Sequence, residues 1–82
     1  MLYKNPEVKP TIGRIVHYVP FENSIEASNH AKEVPAIVVA AWGEGALVNL
    51  KVFTDGIYDT WRPSTRYSEE KEPGTWHWPE RE

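Results

Sequence analysis

The chain has 82 residues, no cysteine and a net charge of −3 from twelve acidic and nine basic side chains. A chain of this size forms one small domain with a marginal core, and the lack of cysteine excludes disulfides and thiolate zinc sites. The acidic balance argues against a general DNA- or RNA-binding protein, whose surface is usually basic. The first residues do not resemble a signal peptide, and no apolar run is long enough to cross a membrane. We therefore expect a cytoplasmic protein that gains stability as a homo-oligomer.

The start of the chain predicts an extended arm and one strand. Residues 1–10 contain two prolines and three charged side chains and form the arm. Residues 11–19, TIGRIVHYV, are rich in β-branched side chains and lie between two prolines, which is typical of a strand. Alternation along this strand puts Ile15 and His17 on one face and Val16 and Tyr18 on the other.

The next segment, residues 20–33, is polar and acidic and has no strand pattern. Asn23, followed three residues later by Glu26, resembles a helix-capping pair. A short helix over residues 24–32 and a solvated loop both fit this composition. We expect the glutamates of the segment to be solvated.

The middle of the chain predicts two hairpins. Residues 34–42, VPAIVVAAW, are the most apolar run and indicate a buried central strand. The sequence GEG at 43–45 predicts a tight reversal. Residues 46–54 alternate regularly, which predicts a strand whose inward face consists of Val48, Leu50 and Val52. The dipeptide Asp-Gly at 55–56 predicts the second hairpin turn.

The last third predicts two more strands. Residues 57–62 form a strand that stops at Pro63, a charged loop covers 64–74, and residues 75–78 form the final strand before Pro79. Five short strands predict an all-β fold, either a small curved antiparallel sheet or an SH3-like or OB-like barrel. The final strand is expected to pair with the first and close the sheet. Residues 11–79 then form one domain, and residues 80–82 form a tail.

Nothing in the sequence indicates catalysis or a cofactor. The three histidines, His17, His30 and His77, are far apart, and none forms a HxH or HxxxH pair, so we predict no metal site. The serines lack the GxSxG pattern of an activated nucleophile, and GEG lacks the lysine and the helix of a phosphate-binding loop. We predict a protein that is not an enzyme.

Aromatic side chains are concentrated near the end of the sequence, where GTWHWP holds two of the four tryptophans. On a strand, Trp76 and Trp78 share one face and His77 points the other way. The two rings either cover the open end of the barrel or a subunit interface, or they form a stacking platform for a planar ligand such as a nucleobase. Four further residues complete the aromatic set: Tyr18, Trp42, Trp61 and Tyr67.

Three arginines, Arg14, Arg62 and Arg66, lie near aromatic residues in the sequence. This arrangement suits a nucleotide, because a base stacks on an aromatic ring while a guanidinium binds phosphate through two hydrogen bonds. Alternatively, Arg62, Arg66 and Arg81 are solvated or pair with the acidic segment 68–72. Two functions stay open: a homo-oligomer that binds a small nucleotide between its subunits, and a protein–protein adaptor whose tryptophans anchor a partner. A single-stranded nucleic-acid binder fits the negative charge poorly.

The stretches KPTIGRIVHY, VPAIVVAAW, ALVNLKVFTDG and PGTWHWPER occur in this order. Together they resemble a family of small proteins encoded by tailed bacteriophages and prophages. The resemblance covers most of residues 9–81, and segment 20–33 is longer and more acidic than the family pattern. The family motifs place eight residues on motif positions: Gly13, Arg14, His17, Tyr18, Asn49, Gly74, Trp76 and Trp78.

The resemblance implies an accessory phage protein that works in the cytosol of an infected bacterium. Small phage proteins of other families, similar in size, assemble into homo-oligomers and sequester cyclic-nucleotide signals of host immunity. By this analogy, the chain is predicted to bind a small nucleotide-type signal, and the alternative is an adaptor for a phage or host protein. The candidate ligand-binding residues are Arg14, His17, Tyr18, Asn49, Trp61, Arg62, Arg66, Trp76 and Trp78.

Overall fold

The five predicted strands form a closed barrel in a computed structural model that describes residues 6–42 and 46–80. The predicted turn at 43–45, the first half of the arm and the end of the tail lie outside the described residues. The strands are β1 (Ile15–Tyr18), β2 (Val34–Ala41), β3 (Val48–Phe53), β4 (Asp59–Tyr67) and β5 (Thr75–His77). The prediction of a small all-β barrel is confirmed. Strands that are consecutive in the chain are neighbours throughout, so the strand order is not the Greek key of an OB-type barrel.

The last strand closes the barrel, as the sequence predicts. β5 pairs antiparallel with β1, and His17 lies opposite His77 in this register. The pairs β1–β2, β2–β3 and β3–β4 are antiparallel as well, whereas β5 runs parallel to β4. Residues 68–74 carry the chain from the end of β4 back to the start of β5.

The core is built from the inward positions of all five strands. Val48, Leu50 and Val52 are fully buried, which confirms the predicted inward face of β3. Trp76 of β5 is the largest of the fully buried side chains and packs among them. The remaining buried members of this cluster are Val16, Tyr18, Val34, Ala36, Val38 and Tyr67.

β4 does not stop at Pro63 as predicted, and a bulge explains why. Leu50 pairs with Arg62 and Val48 pairs with Thr65, so Pro63 and Ser64 together lie opposite a single residue of β3. The bulge removes Pro63 from the ladder, where its missing N–H would leave an unpaired partner. Ser64 takes a positive φ of 50°, which turns the strand at this point.

Segment 20–33 contains one irregular 3₁₀ helix, Ile25–His30, instead of a regular helix over 24–32. Its backbone leaves helical geometry at residues 27–29, and Asn29 has a positive φ of 58°. The predicted capping pair is wrong, because Ser24 is the N-cap residue and the Glu26 side chain is buried. Among the described residues, no helix is long and apolar enough to cross a membrane.

Candidate functional site

The structure places two aromatic residues of the predicted ligand site, Trp76 and Tyr18, inside the core. The exposed fraction is 0% for Trp76 and 1% for Tyr18. The indole Nε1 of Trp76 donates a hydrogen bond to the carbonyl oxygen of Ala46 at 2.8 Å, and its ring packs edge-on against Tyr67 with centroids 5.0 Å apart. Neither Trp76 nor Tyr18 offers a free ring face, so the prediction that they stack on a ligand does not fit this structure.

Trp78 joins the arm to the end of the chain. Its ring lies edge-on to Trp76, with centroids 5.3 Å apart, and its Nε1 donates to the carbonyl oxygen of Val8 at 3.2 Å. The guanidinium of Arg14 lies 4.6 Å from the centroid of the Trp78 ring, which is cation–π geometry. Arg14 therefore stacks on the ring face that the sequence assigns to a base.

Arg62 is engaged by a buried carboxylate. Its Nε and Nη2 donate to the two oxygens of Glu26 at 2.9 and 2.7 Å, and the Thr60 hydroxyl donates to the same group. Burial by itself raises the pKa of Glu26, but the hydrogen bonds from Arg62 and Thr60 and the charge of Arg62 lower it to about 2. The prediction that Glu26 is solvated is wrong, and Arg62 is not available to phosphate while this pair exists.

The other predicted site residues lie apart. Asn49 accepts a hydrogen bond from the Ser64 N–H at 2.9 Å and so holds the bulge of β4. Trp61 is 57% exposed on the outside of the barrel, and Arg66 is exposed at the position of β4 that pairs with Thr75. The nine residues predicted to bind a ligand do not come together in one site.

The outside of the barrel carries an apolar surface that we call the outer face. Ile15, Ile37, Lys51 and Trp61 follow one another in register across β1 to β4. Three of them are apolar, and Ile15 is 49% exposed. Phe53 and Asp59 pair across β3 and β4, and Lys51 binds Asp59 at 3.2 Å in the middle of this face. The outer face consists of Ile15, Ile37, Lys51, Phe53, Asp59 and Trp61.

A cavity of about 550 Å³ opens between segment 20–33 and residues 71–73 of the connection between β4 and β5. Part of its wall is apolar and consists of Val19, Pro20, Ala27, Ala31 and Pro73. Three basic side chains and two acidic ones also line it: His30, Lys32, Lys71, Glu22 and Glu33. The cavity therefore offers apolar contact area beside charged groups of both signs, which is the composition of many small-ligand sites.

Beside the cavity, Glu33 joins two histidines that are far apart in the sequence. Its Oε1 accepts from His17 Nδ1 at 3.0 Å and from His77 Nε2 at 2.7 Å. Burial raises the pKa of Glu33, but the two histidines and the Lys71 ammonium, 3.7 Å from Oε2, lower it overall. His77 is 4% exposed, and its Nδ1 has no hydrogen-bond partner among the described residues. We call His17, Glu33 and His77 the histidine cluster.

Sequence reasoning missed the histidine cluster because it searched only for local spacing. A usable signal was present, since the first and last strands were predicted to pair. Alternation along each strand puts His17 on the other face from Tyr18 and His77 on the other face from Trp76. Since Tyr18 and Trp76 face the core, both histidines lie on the side of the adjacent strands β1 and β5 that faces away from it. Glu33 gave no such signal, because it precedes β2 in a segment without regular periodicity.

Comparison with protein-family models, with curated proteins and with solved structures gives no match for this chain. The resemblance to a phage protein family therefore stays a prediction.

Proposed function

We propose that the protein is a non-enzymatic, homo-oligomeric ligand-binding module and that its ligand site is the cavity beside segment 20–33. The observation that carries this proposal is the volume of about 550 Å³ between an apolar wall and three basic side chains. Small-molecule sites measure roughly 300–1,000 Å³ and combine apolar walls with a few polar groups. The resemblance to phage proteins supports an accessory role in the cytosol of an infected bacterium.

The chemistry of the cavity favours a small nucleotide. A base packs on the apolar wall, and the phosphate binds the ammonium groups of Lys32 and Lys71. Lys71 at present contacts Glu80 at 2.8 Å, and this glutamate is 78% exposed. Exposed ion pairs contribute little stability, so a phosphate can replace Glu80 at low cost.

Thermal unfolding with a panel of linear and cyclic nucleotides tests the ligand site. A nucleotide that binds the folded state raises the melting temperature in a concentration-dependent way. We expect Lys32→Ala and Lys71→Ala to abolish the shift. Lys9→Ala removes an exposed lysine that neither lines the cavity nor belongs to the outer face, and should leave the shift intact. A shift that survives both cavity substitutions contradicts this site, and so does the absence of a shift with every nucleotide.

We propose further that a second copy of the chain packs on the outer face. Exposed apolar surfaces of this kind mark interaction sites in soluble proteins, and tryptophan is enriched among the residues that dominate binding energy. Lys51 and Asp59 suit a two-fold interface, because the same patch meets itself and each lysine then faces the partner's aspartate. A standard interface covers about 800 Å² per partner, roughly a seventh of the 5781 Å² surface of this chain.

Native mass spectrometry and light scattering test the oligomer. The unaltered protein should form dimers or larger symmetric assemblies, and Trp61→Glu should give a folded monomer. Trp42→Glu changes another exposed tryptophan outside the outer face and should leave the assembly intact. A wild-type monomer at high micromolar concentration contradicts the homo-oligomer and favours the alternative function, an adaptor that docks this face on a phage or host protein.

A further inference from the structure

We propose that the histidine cluster is a binding site for a divalent transition-metal ion, with Zn²⁺ as the fitting metal. His17 supplies Nδ1, His77 supplies Nε2 and Glu33 supplies a carboxylate oxygen. These three atoms lie within 4.8 Å of one another. The site does not depend on nucleotide binding and uses two residues, His17 and His77, that do not line the cavity.

The geometry is close to what zinc requires. Zinc bonds of about 2.0–2.2 Å in a tetrahedral site place the ligand atoms roughly 3.3 Å apart. The carboxylate Oε1 lies 3.0 Å from one histidine nitrogen and 2.7 Å from the other. Opening these two distances takes less than about 1 Å. The two histidine nitrogens lie at most 4.8 Å apart and must settle at about 3.3 Å from each other. The side chains of His17 and Glu33 are 37% and 36% exposed, so they have room to move.

The donor set also fits zinc. Two imidazoles and one carboxylate are the three protein ligands of many zinc sites that keep one position open to water. Three separate elements hold the donors: β1 carries His17, β5 carries His77, and Glu33 immediately precedes β2. Since β1 pairs with both β2 and β5, the barrel itself fixes the spacing of the two imidazoles.

Two features of the site limit its affinity. Lys71 Nζ lies 3.7 Å from Glu33 Oε2, so its positive charge opposes a cation. When Nε2 of His77 binds the metal, the ring proton moves to Nδ1, which has no acceptor among the described residues. Losing a hydrogen-bond partner behind a metal ligand typically weakens binding 10–100-fold. We therefore expect a micromolar dissociation constant for zinc, and tighter binding in Lys71→Met, which removes the opposing charge.

Isothermal titration calorimetry with zinc tests the proposal. The experiment uses the full chain without an affinity tag. We expect one zinc ion per chain, at least tenfold weaker binding in His17→Gln and Glu33→Gln, and unchanged binding in His30→Gln. His30 is the matched control, because it is the remaining histidine and lies outside the cluster. NMR of the imidazole nitrogens should show zinc-dependent shifts at His17 and His77 and none at His30.

His17 is the decisive position, because its side chain is partly exposed and its loss should not unfold the barrel. The expected dissociation constant is micromolar and already includes the missing hydrogen-bond partner of His77. The proposal is overturned if no zinc binds even at concentrations about 100-fold above that value. It is also overturned if His17→Gln binds zinc as tightly as the unaltered chain. Nucleotide binding is a separate measurement: Lys32→Ala should remove it and leave zinc binding unchanged, so the two proposals fail independently.

Discussion

The buried carboxylate of Glu26 helps to fasten segment 20–33 to the barrel. Both of its oxygens accept hydrogen bonds from Arg62, whose guanidinium lies 5.8 Å from the centroid of the Tyr18 ring. The Glu26 side chain is 1% exposed, whereas that of Arg62 is 34% exposed. Removing one partner of a buried ion pair leaves the other uncompensated, and this loss is usually larger than the net contribution of the intact pair.

We predict that Glu26→Gln destabilises the protein by about 3 kcal/mol near neutral pH, the lower end for a broken buried pair, because Arg62 keeps contact with water. The pKa of Glu26 is lowered from its ordinary value of 4.5 to about 2 in the folded state. Its contribution to stability is therefore complete above pH 4.5 and is lost as the pH falls towards 2. This lowering of the Glu26 pKa corresponds to about 3 kcal/mol of the free energy of unfolding.

Urea unfolding at about pH 6 and about pH 3 measures this prediction. Glu26→Gln should lose much less stability between the two pH values than the unaltered chain does. Glu22→Gln, an exposed glutamate of the same segment, should retain the pH dependence of the unaltered chain. An unchanged pH dependence in Glu26→Gln would show that the pair with Arg62 does not govern acid stability.

At the scale of one element, β4 shows how a strand passes a proline. Pro63 and Ser64 share one position of the ladder, and Asn49 on β3 accepts the backbone N–H of Ser64. The side chain of Asn49 thus replaces a backbone acceptor at the bulge. Thr65, directly after it, is buried again and resumes the ladder opposite Val48.

We predict that Asn49→Ala destabilises the protein by about 1 kcal/mol, the usual net contribution of one hydrogen bond. Asn49→Asp keeps an acceptor oxygen at the same place and should restore most of the loss. Thermal and chemical unfolding of both variants give the two numbers, with Asn23→Ala as a control at an exposed asparagine of segment 20–33. Equal losses in Asn49→Ala and Asn49→Asp would contradict the assigned role of the acceptor.

The strands could be predicted because their residues follow rules that act locally. Val48, Leu50 and Val52 alternate with polar neighbours, and this period is enough to place them in the core. The passage of β4 through Pro63 could not be predicted, because it depends on Asn49, a partner on another strand. The structure of segment 20–33 could not be predicted for the same reason, since Glu26 is held by Arg62, 36 residues away.

The prediction of the ligand site was wrong for residues whose type suits both the core and a ligand surface, because packing decides between the two. Trp61 and Trp76 look equivalent in the sequence, yet one is 57% exposed and the other is fully buried. The sequence alone does not say which ring the small core can hold. His17 and His77 could have been connected from the predicted pairing of the first and last strands, whereas the position of Glu33 needed the structure.

At the scale of the whole molecule, β5 completes the barrel with only three residues. Thr75, Trp76 and His77 are all buried, and they pair with β1 on one side and β4 on the other. Trp76 fills the centre of the core from this short strand. The sequence GTWHWP is therefore an integral part of the fold rather than a frayed end.

We predict that Trp76→Ala destabilises the protein by about 3–5 kcal/mol, the usual loss for a buried aromatic side chain. Trp42→Ala, at a tryptophan that is 52% exposed, should change stability by less than about 0.5 kcal/mol. Chemical unfolding followed by circular dichroism measures both variants, and Trp76→Phe provides a milder change if Trp76→Ala does not fold. Similar losses at positions 42 and 76 would contradict the central position of Trp76.

The hydrogen bond between Trp78 and Val8 joins residues 70 positions apart in the chain, and the pairing of His17 with His77 between β1 and β5 joins residues 77 − 17 = 60 positions apart. The hairpins β2–β3 and β3–β4 involve neighbouring segments and close at a much smaller loss of chain entropy. These hairpins should form early, and the two outer strands should meet last. Proteins dominated by such distant pairings fold in milliseconds to seconds, so we expect the encounter of the first and last strands to set the speed at which this barrel folds.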